Sequence, residues 1–125
     1  MDVDRITARI ISAAIEVHRH LGPGLLESVY QVCLLKELEV AGLSYESEVP
    51  VHVAYKGEMV GEGYRIDVMV ENEVVVELKA VEMLQDKHKA QLLTYLKLMG
   101  KRVGLLINFN EAVLKNGIRR VVNNY

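Results

Sequence analysis

The apolar residues of the chain recur with two different periods, which together predict a mixed α/β fold. Between residues 64 and 80, apolar side chains occupy every second position on either side of a short acidic turn at residues 71–73. This pattern is typical of two antiparallel strands joined by a tight connection. Residues that face each other across such a pair share one side of the sheet, so the apolar positions also predict the register. The matched pairs are Ile66 with Leu78, Val68 with Val76, and Val70 with Val74.

The same register brings charged side chains together on the other face of the hairpin. Asp67 falls opposite Glu77, and Lys79 lies two residues further along, so all three point to one side. Opposed carboxylates repel each other unless a cation lies between them. Asp67, Glu77 and the backbone carbonyl of Leu78 offer the oxygen ligands that Mg²⁺ prefers, and Lys79 could orient or deprotonate an attacking water. The alternative is a solvated sheet face on which Lys79 simply pairs with Glu77.

Helical periodicity appears before and after this hairpin. Residues 4–21 form an amphipathic pattern that should end at Gly22, and residues 25–41 form a second helix. Residues 86–99 form a third helix, which should end at Gly100. The predicted inner side of the second helix consists of Leu26, Val29, Cys33 and Leu38, and that of the third helix consists of Ala90, Leu93, Leu96 and Met99.

Both later helices carry polar side chains that could serve a site. Glu27 lies three residues before Tyr30, on the same helical stripe. It is either the favourable acid of a first helical turn or a third acid directed at a metal ion. In the third helix, Gln91 and Tyr95 are four residues apart, and Lys87 lies one turn earlier. This polar strip could face a phosphate, or it could be an ordinary helix boundary.

The remaining strands complete a mixed sheet. Residues 47–55 and 59–70 predict two antiparallel strands, the second of which continues into the hairpin. Residues 102–108 are a short apolar run, as in a strand covered on both faces. A helix precedes this run, so it should join the sheet in parallel through a right-handed crossover. Residues 117–123 could form a final edge strand. We therefore predict one α/β domain over residues 1–125, with three antiparallel strands and a parallel crossover strand flanked by helices.

Composition narrows the possible functions. Lysine and arginine total 15 against 17 acidic residues, which argues against coating nucleic acid through bulk positive charge, so any such contact must be local. Cys33 is the only cysteine, and it excludes a disulfide framework. The first residues lack the pattern of a secretory signal, and no apolar stretch approaches about 18 residues. From the sequence we expect a cytoplasmic protein without a membrane span.

Taken in order, the helix acid, the strand acid, the Glu-x-Lys pattern and the Gln-x-x-x-Tyr helix resemble the PD-(D/E)xK nuclease superfamily. The resemblance is greater still to its small GxxExxY branch, whose signature is present as GLLESVY at residues 24–30. It covers nearly the whole chain and implies a restriction-endonuclease-like core. The proline that precedes the first acid in the family is replaced by Ile66, a substitution that should not disturb metal binding.

The resemblance implies a metal-dependent hydrolysis of phosphodiester bonds. In the family pattern, Glu27, Asp67 and Glu77 hold one or two Mg²⁺ or Mn²⁺ ions, and Lys79 positions the attacking water. Leu78 is expected to contribute its carbonyl oxygen to the metal site. Carboxylate-held metal ions lower the pKa of a nearby water and stabilise the leaving oxygen, which explains a pattern of three acids and one lysine.

The resemblance also implies a nucleic-acid substrate, with DNA expected and RNA left open. Gln91 and Tyr95 match the helix that braces the site or meets the substrate backbone, and Tyr30 and Lys87 are further expected substrate contacts. A homodimer would double the surface available for binding. Two other functions remain open, namely a non-catalytic nucleic-acid-binding or regulatory module on a nuclease fold, and a protein-interaction subunit that depends on a partner.

Overall fold

A computed structural model describes residues 1–124 of the chain. Its elements follow one another as α1 (Val3–Leu21), α2 (Glu27–Val40), β1 (Tyr45–Pro50), β2 (Val53–Tyr55), β3 (Glu58–Gly61), β4 (Arg65–Val70), β5 (Val74–Lys79), α3 (Asp86–Met99), β6 (Val103–Asn108), a 3₁₀ turn (Leu114–Gly117) and β7 (Ile118–Val122). The predicted helices and the final edge strand are confirmed to within two residues at each end.

Five of the strands form one mixed sheet in the order β1-β4-β5-β6-β7. All neighbours are antiparallel except β5 and β6, which run parallel. The parallel pair follows from α3, because a strand that continues through a helix into the next strand of the same sheet crosses over in this way. The predicted mixed α/β sheet with one parallel crossover strand is confirmed.

The two long strands predicted before the central hairpin are each divided in two. β2 and β3 pair with each other as a separate two-stranded sheet, while β1 pairs with β4. The chain bends at Val51, which is buried and donates its N–H to the carbonyl of Tyr64 at 2.8 Å. Gly63 has a φ of 84°, which side chains rarely tolerate, so the return path bends there.

The predicted register of the central hairpin is confirmed where β4 and β5 pair. Val68 lies opposite Val76, and Val70 lies opposite Val74. Ile66 is the exception to the predicted alternation, because it packs on the opposite face of the sheet, together with Val75 and the α3 residues. In the neighbouring strand β1, Glu48 has a φ of 52°, which is outside extended geometry. The side chains of β1 and β4 therefore no longer alternate regularly between the two faces of the sheet beyond this residue.

The sheet is covered on both faces, so the domain has three layers. Helices α1 and α2 pack on one face, where their side chains meet Val68, Val76 and Leu105. Helix α3 packs on the other face against Val75 and Leu106. The central strands are therefore buried on both sides, and β6 is buried along its whole length.

The predicted inner sides of α2 and α3 are confirmed in part. Leu38 and Leu96 are buried, and Cys33 and Met99 are partly buried against the core. The buried residues of α2 are Tyr30, Leu34 and Leu38, whereas Leu26 is 74% exposed. In α3 the buried residues are Leu92, Tyr95 and Leu96. Helix α2 is apolar around most of its circumference, so periodicity could not decide which stripe faces the sheet, and the large side chain of Tyr30 fills the interior instead of Val29.

The first helix and the last strand are joined at the surface. Asp2 caps α1 by accepting the N–H of Arg5 at 2.9 Å. Two residues later, Asp4 forms an ion pair with Arg120 of β7, with 2.7 Å between carboxylate and guanidinium. The two ends of the fold are therefore neighbours. Among residues 1–124, none of the helices combines the length and the apolar composition of a membrane span.

Candidate active site

Two carboxyl groups meet where β4 and β5 diverge. Asp67 is partly buried, and its Oδ2 accepts the backbone N–H of Leu78 at 2.7 Å. Backbone pairing between β4 and β5 ends at Val68 and Val76, and this side-chain bond links the two strands beyond that pair. Burial raises the pKa of Asp67, while the hydrogen bond from Leu78 opposes that rise. The local geometry therefore fixes one oxygen of Asp67 and leaves its carboxyl group beside Glu77.

Of the two acids, Glu77 has the more strongly shifted pKa. Its side chain is only 7% exposed, and burial is the main cause that raises its pKa to about 9, followed by the charge of Asp67. Its Oε1 is buried and has no hydrogen-bond partner among residues 1–124. A buried carboxyl oxygen without a partner is unfavourable, unless the site normally holds a group that it can bind.

Lys79 lies on the same strand, two residues beyond Glu77, and is partly buried. Its positive charge favours the ionised forms of both acids and so lowers the pKa of Asp67 and of Glu77, against the larger effect of burial. Its backbone carbonyl accepts the N–H of Phe109 at 2.8 Å, just past the end of β6. The structure thus places two acids and one amine close enough for their charges to act on one another.

The donor set fits a divalent cation in its chemistry. Asp67 and Glu77 supply carboxylate oxygens, and the unpartnered Oε1 of Glu77 is available to a hard ion such as Mg²⁺. A cation between them would also remove the mutual repulsion that helps to hold Glu77 protonated. The structure brings two carboxyl groups together here, and a complete coordination shell would need water or further protein oxygens.

Glu27 is not part of this carboxyl pair. It is exposed in the first turn of α2, and its charge acts on His88 of α3, whose pKa is lowered mainly by burial and then by Lys79. Across residues 1–124, no three His, Cys, Asp or Glu side chains are grouped so that they could hold a metal ion. The expected cluster of three carboxylates is therefore absent here, although Glu27 and Lys79 both lie near His88.

Tyr95 borders the carboxyl pair from α3. It is 8% exposed, and its pKa is raised by burial and then by the negative charge of Glu77. Its ring meets that of Tyr64 edge-on, with 6.4 Å between the centroids, and Tyr64 is about half exposed. Gln91 and Lys87 are exposed on the same helix, so they are accessible to a ligand.

Tyr30, the last residue of the GLLESVY segment, is fully buried. Its hydroxyl donates to the carbonyl of Gly22 at 2.6 Å and accepts the N–H of Leu25 at 3.1 Å. Its ring stacks on Phe109, with 4.5 Å between the centroids. The expectation that Tyr30 contacts the substrate is not compatible with this burial. The residue instead holds the loop between α1 and α2 against the segment that follows β6.

Two residues beside Asp67, Gln31 and Glu48, are not predicted by the sequence pattern. Gln31 donates from Nε2 to the carbonyl of Asp67 at 3.3 Å and to the Glu48 carboxylate at 3.1 Å. The negative charge of Glu48 contributes to the raised pKa of Asp67. In the register of β1 and β4, Ser47 pairs with Val68 and Val49 with Ile66, so Glu48 lies between these two pairs. The sequence pattern alone did not specify this register.

A mixed sheet between helices, with paired acids and a lysine where two central strands diverge, is an arrangement suited to metal-assisted hydrolysis. A family model described as the PD-(D/E)XK nuclease superfamily matches residues 4–121. The chain therefore belongs to the PD-(D/E)XK nuclease superfamily.

Two solved structures are similar to this chain, and the first of them supports the fold. The structure named SSO0001 shares 18% sequence identity with a TM-score of 0.58, over 78% of this chain and 50% of that one. This chain thus spans about half the length of that protein. An alkaline exonuclease, LHK-Exo from Laribacter hongkongensis, shares 11% identity with a TM-score of 0.48, over 98% of this chain and 83% of that one. No match was found among curated proteins.

Proposed function

We propose that this domain is a divalent-metal-dependent nuclease that hydrolyses phosphodiester bonds, with DNA as its substrate, and that it belongs to the GxxExxY branch of its superfamily. One observation carries the proposal. Glu77 is a buried acid with an unpartnered oxygen, and it lies beside Asp67 and Lys79 at the diverging end of two central strands. Such a costly arrangement is typical of functional sites.

In this proposal Asp67, Glu77 and the carbonyl of Leu78 hold Mg²⁺ or Mn²⁺, with Glu27 as a further acid at the edge of the site. When bound, the ion would lower the pKa of an attacking water and neutralise charge on the phosphate. Lys79 orients the water by hydrogen bonding, and its positive charge favours ionised Asp67 and Glu77. The Leu78 N–H holds Asp67 in place through the 2.7 Å bond.

The substrate is proposed to lie along the exposed side of α3. Lys87 and Gln91 are exposed there and can donate hydrogen bonds to phosphate oxygens. Tyr95 is nearly buried at the border of the carboxyl pair and would brace Glu77 rather than stack on a base. Because the chain has a net charge of −2, binding to DNA would depend on these local contacts and on the metal ion.

Cleavage assays test the proposal directly. The protein is incubated with supercoiled, linear and single-stranded DNA and with RNA, in Mg²⁺ or Mn²⁺ and then with a chelator. We expect cleavage that the chelator stops, that Glu77→Gln abolishes, and that Lys79→Ala lowers to a small but measurable residual rate. The matched controls are Glu46→Gln and Lys115→Ala, which change exposed residues of β1 and of the 3₁₀ turn and should cleave like the unchanged protein. Cleavage that persists in both site variants would show that the reaction takes place elsewhere.

A second candidate is a non-catalytic nucleic-acid-binding or protein-interaction module on the nuclease fold. It is favoured by the position of Glu27, which is exposed and stands apart from the Asp67–Glu77 pair, so that residues 1–124 contain no group of three metal ligands. Binding of DNA without cleavage, unaffected by a chelator, would support this function over the first.

We also propose a homodimer. The outer side of α2 exposes apolar side chains, among them Leu26 at 74% and Val32 at 55%. A second copy could cover this surface, and two copies would double the area open to DNA. Sedimentation analysis of the protein and of Val32→Glu tests this part of the proposal separately from cleavage.

A further inference from the structure

A buried asparagine lies next to Lys79 on the neighbouring strand. Asn108 is the last residue of β6, pairs with Lys79 in the parallel register, and is fully buried. A buried amide side chain must satisfy its hydrogen bonds within the protein. The contacts that Asn108 makes therefore show what it holds in place.

The side chain of Asn108 forms hydrogen bonds to both the N–H and the carbonyl of Val81. Its Oδ1 accepts the N–H of Val81 at 3.1 Å, and its Nδ2 donates to the carbonyl of Val81 at 2.9 Å. Val81 lies two residues after Lys79, in a segment with no regular structure that leads to α3. The amide thus takes the place of a paired strand where β5 has already ended.

The backbone around Asn108 is fixed as well. Its Oδ1 also accepts the N–H of Asn110 at 3.2 Å, and the N–H of Phe109 donates to the carbonyl of Lys79 at 2.8 Å. Gly117 packs so closely that a Cβ there would lie 2.7 Å from the carbonyl oxygen of Asn108. Lys79 is therefore held by a backbone bond at its own carbonyl and by the amide clamp two residues further on.

From these contacts we infer that Asn108 is a positioning residue for Lys79, and that its clamp on Val81 keeps the end of β5 extended so that the amine stays beside Glu77 and Asp67. The inference rests on the proposed function, in which Lys79 orients the attacking water. Without the clamp, Lys79 would be the last residue of a strand followed by an unsupported segment, where strand ends are prone to fray. Displacement of a catalytic group by about 1 Å can lower a rate by about 100-fold.

Asn123 provides a matched control. It is also a buried asparagine, only 6% exposed, and its Nδ2 donates to the carbonyl of Lys101 at 3.1 Å. Lys101 precedes the start of β6, so this bond lies at the other end of β6 from Asn108. Asn123→Ala removes one buried side-chain hydrogen bond, against three at Asn108, without touching the proposed site.

The first measurement needs no activity. We expect ¹³C relaxation of the Lys79 side chain, recorded on lysine-labelled protein, to show increased motion in Asn108→Ala and unchanged motion in Asn123→Ala. Unchanged relaxation in Asn108→Ala would overturn the inference. Should the unchanged protein cleave no nucleic acid, the proposed function fails, and this comparison still decides whether Asn108 positions Lys79.

The second measurement is kinetic. On a DNA duplex with Mg²⁺, we expect Asn108→Ala to lower kcat about 10- to 100-fold, with KM within about 2-fold. The double variant Asn108→Ala/Lys79→Ala should be no slower than Lys79→Ala alone, because both changes remove the same contribution. Asn123→Ala should keep the kcat of the unchanged protein. A double variant that is slower than Lys79→Ala by the full factor seen for Asn108→Ala would show that Asn108 acts independently of Lys79.

Discussion

The carboxyl group of Glu77 can be made permanently neutral by the substitution Glu77→Gln, which keeps the size of the side chain. In the folded protein this group has a pKa of about 9, whereas the ordinary value is 4.5. Between these two pH values the unfolded chain has lost the proton that the folded chain retains. The free energy of unfolding of the metal-free protein therefore falls as pH rises from about 4.5 towards 9. Below pH 4.5 Glu77 does not lower the free energy of unfolding, because its carboxyl group is protonated in both the folded and the unfolded state.

The size of the effect follows from the pKa difference. At pH 7.5 the folded state keeps its proton about three pH units above the ordinary pKa of 4.5. At about 1.4 kcal/mol per unit, this costs on the order of 4 kcal/mol of unfolding free energy. Glu77→Gln cannot ionise, so it should be more stable than the unchanged protein by up to this amount at pH 7.5. The difference should disappear near pH 4.5.

Urea unfolding followed by circular dichroism, with a chelator present, measures this difference at several pH values between 4.5 and 9. Glu46→Gln is the control, because Glu46 is exposed on β1 and should show no such dependence. A stability gap between Glu77→Gln and the unchanged protein that stays constant across this range would refute the reasoning. It would mean that burial does not hold the Glu77 carboxyl group protonated.

Three further predictions test the core and the metal site. Tyr30→Phe removes a hydroxyl that hydrogen-bonds to two backbone groups, so it should lower the free energy of unfolding by about 1–3 kcal/mol. Tyr55→Phe changes an exposed residue and should leave this free energy unchanged. Equal urea midpoints for the two variants would contradict the prediction. Gly104→Ala places a Cβ 3.0 Å from Leu92, and the resulting strain should cost about 1–3 kcal/mol in the same assay; an unchanged midpoint would show that α3 can shift. Mg²⁺ at about 100 times its dissociation constant should stabilise the unchanged protein by about 2.7 kcal/mol, which is measured as a rise in Tm. The Tm of Asp67→Asn should not rise. Equal rises in both proteins would exclude Asp67 as a ligand.

The central hairpin shows what the sequence pattern can predict. Strict alternation on both sides of a tight turn leaves one register that buries all the apolar residues, and Val68 pairs with Val76 as expected. The turn itself supports the same register, because Glu71 and Asn72 adopt the positive φ angles of a hairpin turn. The closeness of Asp67 to Glu77 follows from this local geometry.

The rotation of a helix about its axis was harder to predict. In α2 the apolar residues surround most of the helix, so Leu26 and Tyr30 are equally plausible inner positions by periodicity alone. The choice depends on the space between α1, the sheet and Phe109, which Tyr30 fills. The distance of Glu27 from the strand acids depends on the same packing, which no spacing within the sequence specifies.

The ion pair between Asp4 and Arg120 has a consequence for engineering. A short flexible linker could connect the start of α1 to the end of β7 with little strain. New chain ends could then be opened in a loop elsewhere, such as the tip of the β2–β3 hairpin, to give a circularly permuted domain. The same closeness would let the domain be carried as an insert in a surface loop of a host protein, which would need to supply only two nearby attachment points.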